Sequence, residues 1–108
     1  MNMNLQPTYY DFILHGTKRI ELRLNDEKRQ QIQINDIITF TNYNESFNAK
    51  VIQLLHYNTF EALINDYDIE LLADSSMTKQ QLINTLNQFY TKDQQQTYGV
   101  LGIWIDLV

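Results

Sequence analysis

The chain has 108 residues, 44% hydrophobic and 12% aromatic, and carries 13 acidic against 8 basic side chains for a formal net charge of -5. That length supports one domain with its own core, expected over residues 1–108. Having no cysteine, the chain can form no disulfide, thiolate zinc site or thiol nucleophile, and no apolar run approaches the roughly 20 residues of a membrane span. The first residues lack a basic stretch followed by an apolar one, so no secretory signal is visible and the expected location is cytoplasmic.

Pro7 to His15 reads as a short helix. Proline suits its first turn, Gly16 suits the position past its end with a positive φ, and Tyr10, Ile13 and Leu14 form one apolar stripe. Residues 18–24 then alternate, with Ile20, Leu22 and Leu24 on one face and Arg19, Glu21 and Arg23 on the other. This is the period of a half-buried strand, and it places Glu21 and Arg23 on the same side, roughly 6–7 Å apart. Lys18 falls at the first turn of that strand, where its side chain can swing into a cleft.

Residues 26–31 are expected to form a tight turn capped by Asp26. Asn35-Asp36 is a second turn signal. Ile37 to Phe40 reads as a central strand, apolar on both sides. Residues 42–46 have hairpin character, and Phe47 to His56 forms the antiparallel partner strand. A short helix follows over Thr59 to Ile64, capped by Thr59 or Asn58.

Residues 61–74 hold five acids (Glu61, Asp66, Asp68, Glu70 and Asp74) and no base, which reads as a solvated helical edge. The strongest helical pattern runs from Thr78 to Tyr90, with Leu82, Leu86, Phe89 and Tyr90 on one face. Thr91 to Gln96 is expected to be a polar loop. Tyr98 to Val108 is a closing strand whose two glycines, Gly99 and Gly102, mark a bend or a close backbone approach, with Trp104 in the core. Short consecutive strands with helices inserted late indicate an α+β fold whose strands curl into a small barrel.

Charge is the main clue to function. Five of the eight Lys and Arg residues (Lys18, Arg19, Arg23, Lys28 and Arg29) fall within twelve consecutive positions. Focusing of this kind attracts an anion even to an acidic protein. The competing interpretation is a solvated strand face with a Glu21–Arg23 surface pair worth about 0–1 kcal/mol. No cofactor is expected, since there is no phosphate-binding loop, dinucleotide fingerprint or nucleophile elbow. No metal is expected either, with His15 and His56 far apart and no thiolate to join them.

The run Ile13 to Arg23, read as Gly16-x-Lys18-x-x-Glu21-x-Arg23 after a short helix, resembles the ASCH-domain family of the PUA-like superfamily. Ile34-Asn35-Asp36-Ile37-Ile38-Thr39-Phe40 is similar to that family's next strand start, with Asn35 in place of a glycine, and Tyr98 to Ile103 to its last strand. The resemblance implies a small PUA-like mixed or antiparallel β-barrel with short helices packed around it. It also implies a cleft where Lys18, Glu21 and Arg23 bind RNA or a nucleotide-like small molecule. Arg23 would meet phosphate as a fork and Lys18 as a point charge. Glu21 would accept from a base amino group or hold Arg23 in place, Lys28 and Arg29 would widen the positive rim, and Tyr98 would stack on a base. On this view Lys18→Ala abolishes binding and leaves the fold intact.

One branch of the family hydrolyses the acetyl amide of N4-acetylcytidine with a Lys, a Thr and a Glu. Lys18 matches the first, Glu21 stands at the second, and Ser75, beside Asp74, at the third. A hydrolase acting on such a nucleoside or on RNA, with Lys18 and Glu21 catalytic, is therefore the alternative. A third interpretation makes the acidic edge a surface for a protein partner.

Overall fold

The structure, a computed structural model, describes residues 1–108. Its centre is the hairpin of β3 (Ile37–Asn42) and β4 (Glu45–Tyr57), joined by Tyr43-Asn44 with Tyr43 at φ 54°. β5 (Val100–Leu107) pairs antiparallel with β4 on one side and with β2 (Ile20–Leu24) on the other. β1 (Asn2–Asn4), which no sequence pattern announced, pairs parallel with β3, Met3 opposite Phe40. Three residues are too few to show a period, and only Met3 is buried. The five strands run in the order β1-β3-β4-β5-β2, so β1 and β2 are the two edges of a curled, half-barrel sheet. Arg23 on β2 reaches across to the Asn4 carbonyl on β1 at 2.9 Å. A seam therefore remains where a closed barrel would have a ladder.

Each face of the sheet carries its own core. Ile38, Phe40, Ala49, Val51, Ile103 and Ile105 pack with Tyr10 and Ile13 of α1 (Pro7–Leu14). On the other face Ile20, Leu22, Leu24 and Leu55 pack against α2 (Phe60–Asn65), α3 (Ile69–Leu72) and α4 (Lys79–Phe89). β4 serves both because its register shifts between Val51 and Gln53. The bulged Ile52 reverses the alternation, so Val51 and Leu55 point to opposite faces.

Two strand expectations change as a result. β2 starts at Ile20 and is buried on both sides, with Glu21 only 6% exposed, because helices cover one face and the seam encloses the other. β3, expected to be buried on both sides, leaves Ile37 in solvent at 45%, since no helix lies over its outer face. Trp104 is partly buried, edge-on to Tyr67.

The turns follow their local chemistry. Asp26 accepts the Arg29 N–H at 3.0 Å and opens a 3₁₀ turn at Arg29–Gln31. Asn35 adopts φ 78°, the left-handed geometry that asparagine tolerates. Gly16 is needed for a reason other than positive φ. A Cβ there would stand 2.7 Å from the Phe12 carbonyl oxygen, because the chain doubles back over the end of α1. Thr59 caps α2, and Thr78 with Gln81 forms a capping box on α4.

The expected loop at Thr91 to Gln96 is instead helical. α5 (Lys92–Tyr98) opens on a Thr91/Gln94 capping box and is held by one buried amide rather than an apolar stripe. Gln95 accepts the Phe60 N–H at 3.2 Å and donates to Asn87 Oδ1 at 3.0 Å. The closing strand consequently begins at Val100, after Gly99 at φ 73°, ψ -179°, a region open essentially to glycine. At Gly102, a Cβ would come within 3.2 Å of Ile20 and Leu55, so this glycine serves close approach. The acidic segment is solvated as expected, with Glu61, Asp66, Asp68 and Glu70 exposed. No helix is long and apolar enough to cross a membrane.

Candidate functional site

The sheet's open seam forms a cleft of about 210 Å³. Asn4, Leu5 and Gln6 line one side, and Glu21, Leu22 and Arg23 the other. Lys18 and Tyr9 close one end, and Leu86, Phe89 and Tyr90, at the end of α4, form the remaining wall. Ladder parity adds a main-chain component. Ile105 donates to the Arg19 carbonyl and Asn25 to that of Gly99, so odd-numbered residues of β2 bond to β5. Leu22, opposite Gly102, therefore turns its N–H and C=O toward the seam.

The charged residues form a chain. Lys18 Nζ is 3.3 Å from Glu21 Oε1, and Arg23 Nε is 2.8 Å from Glu21 Oε2. Arg23 spends Nη2 on Asn4, which leaves Nη1 without a protein acceptor. Lys18 is 2% exposed, and its ammonium also donates to the carbonyls of Ile20 and Leu72, the latter at 2.8 Å. All three of its hydrogens thus have acceptors. Its side chain does swing toward the cleft, but as a tether from β2 to the end of α3 rather than a free point charge. Neighbouring residues complete that junction, with Arg19 N–H on the Leu71 carbonyl and the Thr17 hydroxyl on that of Glu70.

Two cations and one carboxylate leave the cleft one positive charge within an acidic protein. Burial pulls the Lys18 amine below its usual range, against the attraction of Glu21. Burial alone would raise the Glu21 carboxyl, but Lys18 and Arg23 outweigh it and hold it low. Glu21 therefore stays ionised. Burial, and then the Glu21 charge, raises the Tyr9 hydroxyl and keeps it a neutral donor.

The family model for the ASCH domain matches residues 3–108. The chain belongs to the ASCH-domain family. It is similar to hypothetical protein PH0355, whose crystal structure superposes with a TM-score of 0.88 at 33% identity over 99% of this chain and 97% of that one. It is also similar to protein PF0455 from Pyrococcus furiosus, whose solution NMR structure gives a TM-score of 0.79 at 29% identity over 99% and 96% of the two chains. No curated protein matches it.

Within this ASCH domain the linear cluster of cations disperses. Lys18 and Arg23 share the cleft. Arg19 folds back onto the end of α1, donating to the carbonyls of Ile13 at 3.1 Å and Lys18 at 2.7 Å. Arg29 pairs with Asp26 at 3.1 Å and Lys28 is exposed; neither lines the cleft. Tyr98 ends α5, exposed and away from the cleft wall. Asp74 accepts the Ser76 N–H at 3.0 Å, and neither it nor Ser75 lines the cleft. No group of three or more His, Cys, Asp and Glu side chains is placed to hold a metal.

The aromatic residues that line the cleft are Tyr9, Phe89 and Tyr90 rather than Tyr98; the helical pattern places Phe89 and Tyr90 on the apolar face of the later helix. A signal was present. Tyr9 and Tyr10 are adjacent on one helix and cannot share a core face; Tyr10 is 2% exposed and Tyr9 half-buried. Phe89, 55% exposed, extends the α4 stripe past what the core uses.

Proposed function

We propose that this ASCH domain binds RNA or a nucleotide-like small molecule, with one nucleotide in the seam cleft. The observation that carries the proposal is the combination of a single net positive charge with aromatic walls and a main-chain donor and acceptor in a space of about 210 Å³. That volume suits one ring and its sugar, being smaller than the roughly 300–1,000 Å³ of drug-sized pockets. Arg23 Nη1 meets phosphate, Glu21 accepts from a base amino group while keeping its two cations, and Tyr9, Phe89 and Tyr90 present ring faces for stacking. Lys18 contributes field and floor rather than direct contact.

The test is an NMR titration of labelled protein with nucleosides, nucleotides and short single-stranded RNA. Shifts are expected at the Leu22 amide, Tyr9, Phe89 and Tyr90, with little change at Lys28, Arg29 or Tyr98. An unshifted Leu22 and unshifted aromatics with every member of the panel would remove this proposal.

A hydrolase acting on a modified nucleoside such as N4-acetylcytidine, or on RNA, is the second reading. One observation favours it: an amine whose proton is loosened by burial, in contact with an ionised carboxylate, is the pairing that acid–base chemistry uses. Product signals appearing over hours in the same titration would select it; unchanged N4-acetylcytidine and RNA would leave binding alone.

A further inference from the structure

A second groove adjoins the cleft. Its volume is about 450 Å³, and Asn4, Leu5 and Gln6 line both spaces. From there it runs past Thr41 and Asn42 to Tyr43 at the β3–β4 turn. Asn4 is opposite Thr41, so Tyr43 lies two residues further along the chain, in the turn just past the end of β3.

The lining has a consistent chemistry. The side-chain amides of Asn4, Gln6 and Asn42 make no hydrogen bond within the protein, so each offers a donor and an acceptor to a ligand. No Lys or Arg lines the groove. Tyr43 is 91% exposed, more than any other large hydrophobic side chain, and is a non-glycine residue at φ 54°. A tyrosine pays backbone strain there for no packing gain. Arg23 stands at the junction, bonded to the Asn4 carbonyl through Nη2.

We propose that this groove is a second nucleotide subsite, in which the neighbouring base of a single strand stacks on Tyr43 and its polar edge meets the amides of Asn4, Gln6 and Asn42. The inference rests on the nucleotide reading of the seam cleft. The phosphate joining the two nucleotides passes Arg23 at the junction, and the uncharged groove beyond takes base and sugar. Glu45, opposite Asn42 in the hairpin, places a carboxylate at the far end and disfavours a further phosphate there. The preferred ligand is thus a dinucleotide step rather than a long polyanion.

The experiment compares mononucleotides with the corresponding homodinucleotides by calorimetry, in wild type and in Tyr43→Asn. Homodinucleotides remove the question of strand direction, and asparagine tolerates the left-handed backbone, so the turn is kept. A thermal midpoint of the variant equal to that of wild type is the check on this. In wild type the homodinucleotide of the best-binding base is expected to bind about tenfold more tightly than its mononucleotide, as one added stacked base gives. Tyr43→Asn is expected to abolish that gain while leaving mononucleotide affinity unchanged. A dinucleotide no tighter than the mononucleotide, or a gain that survives Tyr43→Asn, overturns the subsite and leaves the seam cleft standing. Wild-type protein that binds neither overturns both.

Discussion

The Lys18 ammonium donates to the Leu72 carbonyl at 2.8 Å, so the residue that closes the cleft also fastens the end of α3 to the edge of β2. Helix ends leave carbonyls without partners, and a cation there is favourable. The expectation that Lys18→Ala leaves the fold intact therefore gives way. The substitution strands two buried carbonyls and unpairs one oxygen of Glu21, a loss of about 3–5 kcal/mol for a broken buried pair. Lys18→Met, which keeps the packing of the stem, is expected to recover part of it. The urea midpoints of the two variants check this; a wild-type midpoint in Lys18→Ala would leave the tether without energetic weight.

Glu21 and Lys18 set opposite pH limbs. The carboxyl is held below its ordinary 4.5 because Lys18 and Arg23 outweigh burial. The unfolded chain thus takes up this proton first, and the contribution of Glu21 is present above about pH 4.5 and lost as pH falls further. Burial pulls the Lys18 amine below its ordinary 10.5. The folded state sheds that proton before the unfolded chain does, so this group makes stability rise with pH up to about 10.5. In Glu21→Gln the acid limb is expected to flatten, the stability gap to wild type narrowing as pH drops from about 7 to about 3. A gap constant over that range would show that Glu21 is not the titrating group.

What was legible in the chain was local. The alternation of Ile20, Leu22 and Leu24, the left-handed Asn35 and the Thr59 cap each depend on neighbours within a few residues. β1 was hidden because three residues carry no period. α5 was hidden because Gln95 fixes it through amide bonds that a hydrophobic pattern does not register, although its Thr91-x-x-Gln94 box was in plain view. The site was half visible. Glu21 and Arg23 share a strand face, so their meeting follows from period 2. The aromatic wall depends on the sheet order, which brings β1 and β2 to a common seam from opposite edges. The run that ends at Arg29 is a cluster along the chain and not in space, since Arg19 and Arg29 each bind nearby carbonyl or carboxylate groups.

Gly16 separates two reasons for a glycine. Its φ is not positive, yet a Cβ would approach the Phe12 carbonyl oxygen to 2.7 Å and displace the Lys18 N–H bonded to it at 3.1 Å. Gly16→Ala is expected to cost about 1–3 kcal/mol, as overpacking does. Gly16→Asn should fare no better, because asparagine relieves a left-handed backbone but not a steric contact. Thermal unfolding of both variants decides between the two reasons: rescue by asparagine would mean that backbone conformation, not close approach, selects glycine.

Arg23 has three roles to separate: bonding across the seam to Asn4, orienting Glu21, and meeting a ligand phosphate. Arg23→Ala is expected to weaken a nucleoside monophosphate about 10–100-fold, the weight of a hydrogen bond to a charged group, while the parent nucleoside changes by no more than about twofold because it has no phosphate to meet Nη1. Arg23→Lys should restore only part of the loss, since one ammonium replaces a guanidinium that serves Glu21, Asn4 and the ligand from three separate nitrogens. With a short single-stranded RNA as ligand, one phosphate contact gives a slope of about -0.7 in log affinity against log salt, and Arg23→Ala should bring it near zero. Calorimetry at several salt concentrations gives all of these values. Equal losses for nucleoside and nucleotide would mean that Arg23 acts through Glu21. In that case Glu21→Ala/Arg23→Ala binds no more weakly than Arg23→Ala alone, because the carboxylate has already lost its alignment.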